Sequence, residues 1–99
     1  MNINELFGVS GKVAIVTGGS RGIGEMITSG FLANGVKVYI TARKEGPLIE
    51  KAEELSKKYN GDCIPIACDL SSTVGTNYFV EKMRKHEKGI DFLINNAGA

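Results

Sequence analysis

A chain of 99 residues, 42% hydrophobic and 23% charged, with a formal net charge of +1, has the make-up of one globular unit. So small a charge supplies no field that would select nucleic acid or an anionic membrane as a partner. The apolar runs are strand-sized rather than bilayer-sized, and Asn2, Asn4 and Glu5 stand where a secretory leader needs a basic start, so a cytoplasmic protein is expected.

Residues 1–11 form a short lead-in, with Leu6, Phe7 and Val9 available to pack under a sheet and Ser10-Gly11 as a turn. The first strand is expected over Lys12 to Val16. It is apolar without alternation, the pattern of a strand covered by helices on both faces. Directly after it comes Thr17-Gly18-Gly19-Ser20-Arg21-Gly22-Ile23-Gly24. Gly18 and Gly22 can take backbone conformations closed to other residues, and Gly24 lets the following helix lie close to the sheet. That helix begins facing the turn, so its free N–H groups and positive dipole end suit a pyrophosphate. Ile23, Ile27 and Phe31, widened by Met26 and Leu32, form its expected inward stripe, and Asn34-Gly35 closes it. Gly30 within it suggests a close backbone approach.

A second apolar strand follows from Val36 to Thr41 and stops at Ala42-Arg43-Lys44. Gly46-Pro47 opens the next helix, with Leu48, Ala52, Leu55 and Tyr59 facing inward and Asn60-Gly61 at its end. The third strand, Cys63 to Cys68, contains Pro65, which has no N–H for a ladder hydrogen bond, so this strand belongs at a sheet edge. The odd separation of Cys63 and Cys68 puts them on opposite faces, too far apart to bridge, so buried reduced thiols are expected. These two and the single His86 are too few for a metal centre.

Asp69-Leu70-Ser71-Ser72 makes the next turn, with Ser71 or Ser72 as N-cap. The helix after it runs to about Lys85, with Val74, Tyr78, Phe79 and Met83 inward, Lys82, Arg84, Lys85 and Lys88 in solvent, and His86 at its surface end. Ile90 to Ile94 is the fourth strand, followed by Asn95-Asn96-Ala97-Gly98-Ala99. Strands alternating with helices give right-handed β-α-β units. With the third strand at an edge, the expected fold is an α/β, Rossmann-type parallel sheet of order 3-2-1-4 with helices on both faces, cut off after strand four. The glycine turn then opens into the crevice between strands one and four, where the winding reverses.

Thr17-Gly18-x-x-x-Gly22-x-Gly24, joined to Asn95-Asn96-Ala97-Gly98 after the fourth strand, strongly resembles the classical short-chain dehydrogenases/reductases over about Phe7 to Ala99. The resemblance implies that residues 1–99 are a partial NAD(P)-binding domain, the N-terminal part of an oxidoreductase moving a hydride between nicotinamide and a carbonyl or alcohol. It implies that Gly18, Ser20, Arg21, Gly22, Ile23 and Gly24 surround the pyrophosphate and its ribose. Asp69 and Leu70 match the family's adenine site, Asn96, Ala97 and Gly98 border the nicotinamide side, and Asn95 braces the sheet. Where an NAD enzyme of this kind carries an acidic residue at the end of strand two, this chain has Ala42 and then Arg43. Arg43, helped by Arg21, offers a guanidinium to the 2′-phosphate, so NADP is expected rather than NAD.

Glycine-turn, Arg43 and Asp69-to-Ser72 residues look most like the 3-oxoacyl-acyl carrier protein reductase branch, which makes a 3-oxoacyl thioester the expected substrate. No catalytic residue is assigned within the chain. The family's serine and Tyr-x-x-x-Lys pair belong to later strands, and Tyr78-x-x-x-Lys82 has that spacing before strand four, the wrong place. The resemblance further implies a small-molecule carbonyl or alcohol substrate and a homodimer or homotetramer for the full-length parent. The other functions open to the chain are a non-catalytic NADP-binding sensor and an inactive truncated fragment.

Overall fold

The computed structural model describes residues 11–96. The expected packing of Leu6, Phe7 and Val9 lies outside that range, as do Ala97 and Gly98. Four strands, β1 (Val13–Thr17), β2 (Lys37–Ala42), β3 (Cys63–Ala67) and β4 (Phe92–Asn95), alternate with three helices, α1 (Gly22–Ala33), α2 (Glu45–Tyr59) and α3 (Thr73–His86). All pair in parallel, in the order β3-β2-β1-β4. Each strand ends one residue or so from its expected limit, within the ordinary spread of such boundaries.

The two faces of the sheet are covered unequally. Ala14, Val16, Val38, Ile40 and Cys63 point to one face, where α1 and α2 contribute Leu32, Leu48, Ala52 and Leu55 to a closed core. Phe31 of α1 stacks on Phe92 of β4, with ring centroids 5.3 Å apart, and so carries this core across β1. The other face holds Ile15, Tyr39 and Ile66 under Phe79 and Met83 of α3. Here β4 is bare, and Leu93, opposite Ile15 in the register, is 65% exposed.

The inward stripe of α1 differs from the expected one. Its buried residues are Gly24, Thr28 and Leu32, with Ile27 and Phe31 at the flank, while Ile23 and Met26 are 64% and 69% exposed. Apolarity favoured the larger side chains, but small residues let the helix axis approach the sheet, and that closeness rotates Ile23 outward. Gly30 is open to solvent rather than pressed against backbone; its carbonyl accepts from the Asn34 side chain at 2.8 Å. On α3 the expected inward Val74 and Tyr78 are exposed, because Phe79 and Met83 alone reach the sheet. The ammonium of Lys82 lies over the outward Tyr78 ring, 5.6 Å from its centre.

β3 is the edge that Pro65 foretold. Val38 N–H donates to Asp62 O and Cys68 N–H to Ala42 O, a register that points the backbone polar groups of Cys63, Pro65 and Ala67 away from β2. Cys63 N–H donates to Ser56 Oγ at 3.1 Å and the same hydroxyl donates back to Cys63 O at 3.2 Å. Ser56 and the missing N–H of Pro65 thereby blunt this edge. Cys63 lies in the α1/α2 core and Cys68 packs with the α3 core, so the thiols are on opposite faces and free. Burial pushes the Cys63 thiol up to about 12, which keeps it protonated and inert.

Candidate cofactor site

Because every strand is parallel, the ends at Thr17, Ala42, Ala67 and Asn95 gather at one crest of the sheet. The glycine turn crosses the β1–β4 junction there. Gly18 (φ 67°) and Gly22 (φ 60°) occupy the left-handed region, where a side chain strains the backbone. A Cβ on Gly24 would overlap the carbonyl of Gly18 and lie 2.7 Å from Asn96 Nδ2, so only glycine lets α1 begin against the turn. Around Gly22 a Cβ would meet nothing within 4 Å, which leaves open space on the outer side of the turn.

Thr17 ties the turn to the end of β4. Its hydroxyl is 3.0 Å from Asn95 Oδ1, to which it donates, and it accepts the backbone N–H of Asn96 at 2.8 Å. Asn95 therefore braces β4 against β1, in the role expected for it. Asn96 Nδ2 reaches Gly18 O at 3.5 Å, so this side chain lines the turn. Sequence reasoning noted Thr17 only as the start of the motif; its partners are 78 and 79 residues away, and nothing local announces them.

The start of α1 has no side-chain cap, and the one acid of its first turn, Glu25, pairs with Lys51 of α2 at 3.3 Å. Arg21 stands at the N-cap in extended conformation and its side chain makes no capping hydrogen bond. The first N–H groups of the helix have no intrahelical acceptor and face the open side. By contrast, Ser72 caps α3 by accepting from Gly75 N–H at 2.9 Å, which selects Ser72 from the two expected caps. A Cβ on Gly75 would run into the carbonyl of Asp69, so this glycine lets the Asp69 turn fold over α3. Its part in shaping the crest escaped the sequence reading.

Asp69 lies at the crest after β3. Its Oδ1 accepts from the hydroxyl of Ser71 at 2.5 Å and from Ser71 N–H at 3.0 Å. The Ser71 hydroxyl, then its N–H, and the nearby charge of Arg43 hold this carboxyl below its usual range, so it stays an acceptor. Both Ser71 bonds fall on Oδ1. Leu70 packs beside it against the α3 core. Arg43, Lys44 and Arg21 are exposed, and among the described residues none has a carboxylate within 4.0 Å. Ile23 stands exposed at the same rim. The turn, the uncapped helix start, the exposed cations and the Asp69 acceptor thus share one crest, whereas Tyr78 and Lys82 sit out on α3.

Residues 12–99 match the family model described as short chain dehydrogenase. The chain belongs to this oxidoreductase family. It is 42% identical over 92 residues to the rhamnolipids biosynthesis 3-oxoacyl-acyl-carrier-protein reductase of Pseudomonas aeruginosa, a match covering 93% of the chain and 35% of that protein. Among solved structures it resembles the Pseudomonas aeruginosa RhlG/NADP active-site complex, with a TM-score of 0.86 and 43% identity over 92% of this chain and 36% of that one. It also resembles the L-sorbose reductase of Gluconobacter frateurii complexed with NADPH and L-sorbose, with a TM-score of 0.86 and 38% identity over 92% of this chain and 35% of that one. The chain therefore spans about a third of the length of the relatives it matches. Among the described residues no helix is long and apolar enough to cross a membrane, and no group of three or more metal-ligating side chains occurs.

Proposed function

We propose that residues 1–99 are the dinucleotide-binding part of an NADP-dependent reductase acting on a small carbonyl or alcohol, with a 3-oxoacyl thioester as the first candidate. The observation that carries this is the crest itself, a glycine turn and a helix start without a side-chain cap, flanked by the exposed guanidinium groups of Arg21 and Arg43. Donors without an internal acceptor suit an anion. Bound NADPH supplies the hydride.

Each residue of the crest has a task in this reading. N–H groups from Ser20 to Gly24 donate to the pyrophosphate, and Ile23 shields the neighbouring ribose. Arg43 and Arg21 grip the 2′-phosphate, for which a bidentate guanidinium is well suited. Asp69 accepts from the adenine amino group while Leu70 packs along the ring. Asn96, with Ala97 and Gly98 beyond the described residues, borders the nicotinamide side. Proton transfer to the substrate falls to residues outside this chain. The thioester assignment leans on the 42% identity to the Pseudomonas aeruginosa reductase. A cytoplasmic homodimer or homotetramer completes the proposal, on family membership alone.

Titration calorimetry of the protein with NADP and with NAD tests it. Saturable binding, tighter for NADP by tenfold or more, is expected from charge-assisted contacts to one added phosphate. Equal affinity for both would remove the role given to Arg43 and Arg21, and no binding of either would remove the cofactor assignment.

A further inference from the structure

Thr28 is fully buried in the interface between α1 and the sheet. A threonine there is a poor choice for packing alone, since its hydroxyl must find a partner and tends to bend the helix that carries it. Thr28 Oγ1 lies 2.8 Å from Gly24 O, one turn back, and 3.4 Å from Gly19 O in the glycine turn. A hydroxyl has one proton, so Gly24 O takes the shorter, stronger arm of the bond and Gly19 O the longer, weaker one. Gly19 is itself buried and seated on this group. A Cβ there would lie 2.8 Å from Thr28 Oγ1 and 2.5 Å from Ile40 Cγ2, so α1 and β2 together make a floor under the turn.

The orientation of one peptide follows. Among the described residues no peptide bond is cis, and in a trans peptide the C=O and the next N–H point in opposite directions. With Gly19 O directed inward at Thr28, the N–H of Ser20 is directed outward from the turn. We propose that Thr28 is a positioning residue for the dinucleotide: it never touches the cofactor, but its hydroxyl holds the Gly19–Ser20 peptide so that Ser20 N–H faces the pyrophosphate. This rests on the cofactor reading of the crest given above.

Two substitutions separate positioning from packing. Thr28→Val keeps the shape and deletes the hydroxyl, whereas Thr28→Ser keeps the hydroxyl and deletes a methyl group. NADP affinity by calorimetry should fall roughly three- to fivefold in T28V, less than the worth of a full hydrogen bond because the proton is shared, and stay within about twofold of wild type in T28S. Melting temperature should move the other way, with T28S the less stable of the two because of its lost methyl. In the free protein, T28V should shift the amide resonances of both Ser20 and Glu25, whose peptides carry the two carbonyls. A T28V protein that binds NADP like wild type, or that shifts Glu25 and leaves Ser20 unmoved, overturns the role of Thr28 while leaving the cofactor site standing. A wild-type protein that does not bind NADP overturns the site and the role of Thr28 together.

Discussion

The two ends of the sheet treat their polar groups in opposite ways. At the end where the strands begin, charges satisfy one another: Glu87, just past α3, takes the ammonium of Lys37 at 2.6 Å and the buried hydroxyl of Tyr39 at 2.5 Å on one carboxylate oxygen. Asp91 likewise accepts Val13 N–H at 2.8 Å. At the crest, where the strands end, the start of α1 has no cap and Arg21 and Arg43 have no carboxylate partner among the described residues. One end is closed by its own side chains and serves stability. The other keeps donors and cations in reserve, which is the expected state of a surface whose partner is an anionic ligand.

Substitutions can break this contrast, and the largest effect belongs to Gly24. With alanine there, the new methyl overlaps Gly18 O and α1 must retreat from the turn. Overpacking of this kind costs about 3 kcal/mol, and NADP affinity measured by calorimetry should fall about a hundredfold. Next comes Arg43→Asp, which should lower the NADP-over-NAD preference about thirtyfold by exchanging attraction for repulsion. Its melting temperature should barely move.

Glu87→Gln sharpens the comparison from the other end. It should cost about 1 kcal/mol in urea unfolding and leave NADP affinity unchanged. The pH profile of this cluster is fixed by its shifts. Hydrogen bonds from Lys37 and Tyr39 hold the Glu87 carboxyl below its ordinary value, so its contribution is present above that range and is lost as pH falls through the depressed value. The Lys37 ammonium is raised chiefly by its bond to Glu87, and the Tyr39 hydroxyl chiefly by burial. Their contribution is present below their ordinary values and is lost as pH climbs through the raised ones. Wild type should therefore outlast Glu87→Gln by a margin that is widest near neutrality and narrows in acid and in strong alkali. The smallest effect is expected at Asp69. Asp69→Asn keeps an acceptor for the adenine amino group, and NADP affinity should weaken only about two- to fivefold, read by the same titration.

What the sequence disclosed was whatever local chemistry dictates. The glycine turn shows because φ above zero and close approach demand glycine, and the strand order shows because Pro65 cannot donate from an interior strand. Arg43 stands exposed just past the end of β2, where its place in the sequence put it. The side chains that hold the crest in shape were not. Thr17 acts on Asn95 and Asn96, Thr28 on Gly19, and Gly75 on Asp69, and each contact exists only once the chain has folded. On α1 the expected Ile27, Phe31 and Leu32 do pack on the core, and only Ile23 and Met26 were misplaced, because 23/27/31 and 24/28/32 are adjacent rows on one helix. Apolarity chooses the first; closeness to the sheet chooses the second. On α3, Val74 and Tyr78 belong to a part of the helix that no described element covers.

If ligand binding and stability are divided between the two ends of the sheet, amide resonances of the protein titrated with NADP will show it. Saturable shifts are expected at Ser20 to Gly24, Asp69 and Asn96, with Lys37, Glu87 and Asp91 unmoved. Shifts centred on Lys37 and Glu87, with the glycine turn silent, would contradict that division.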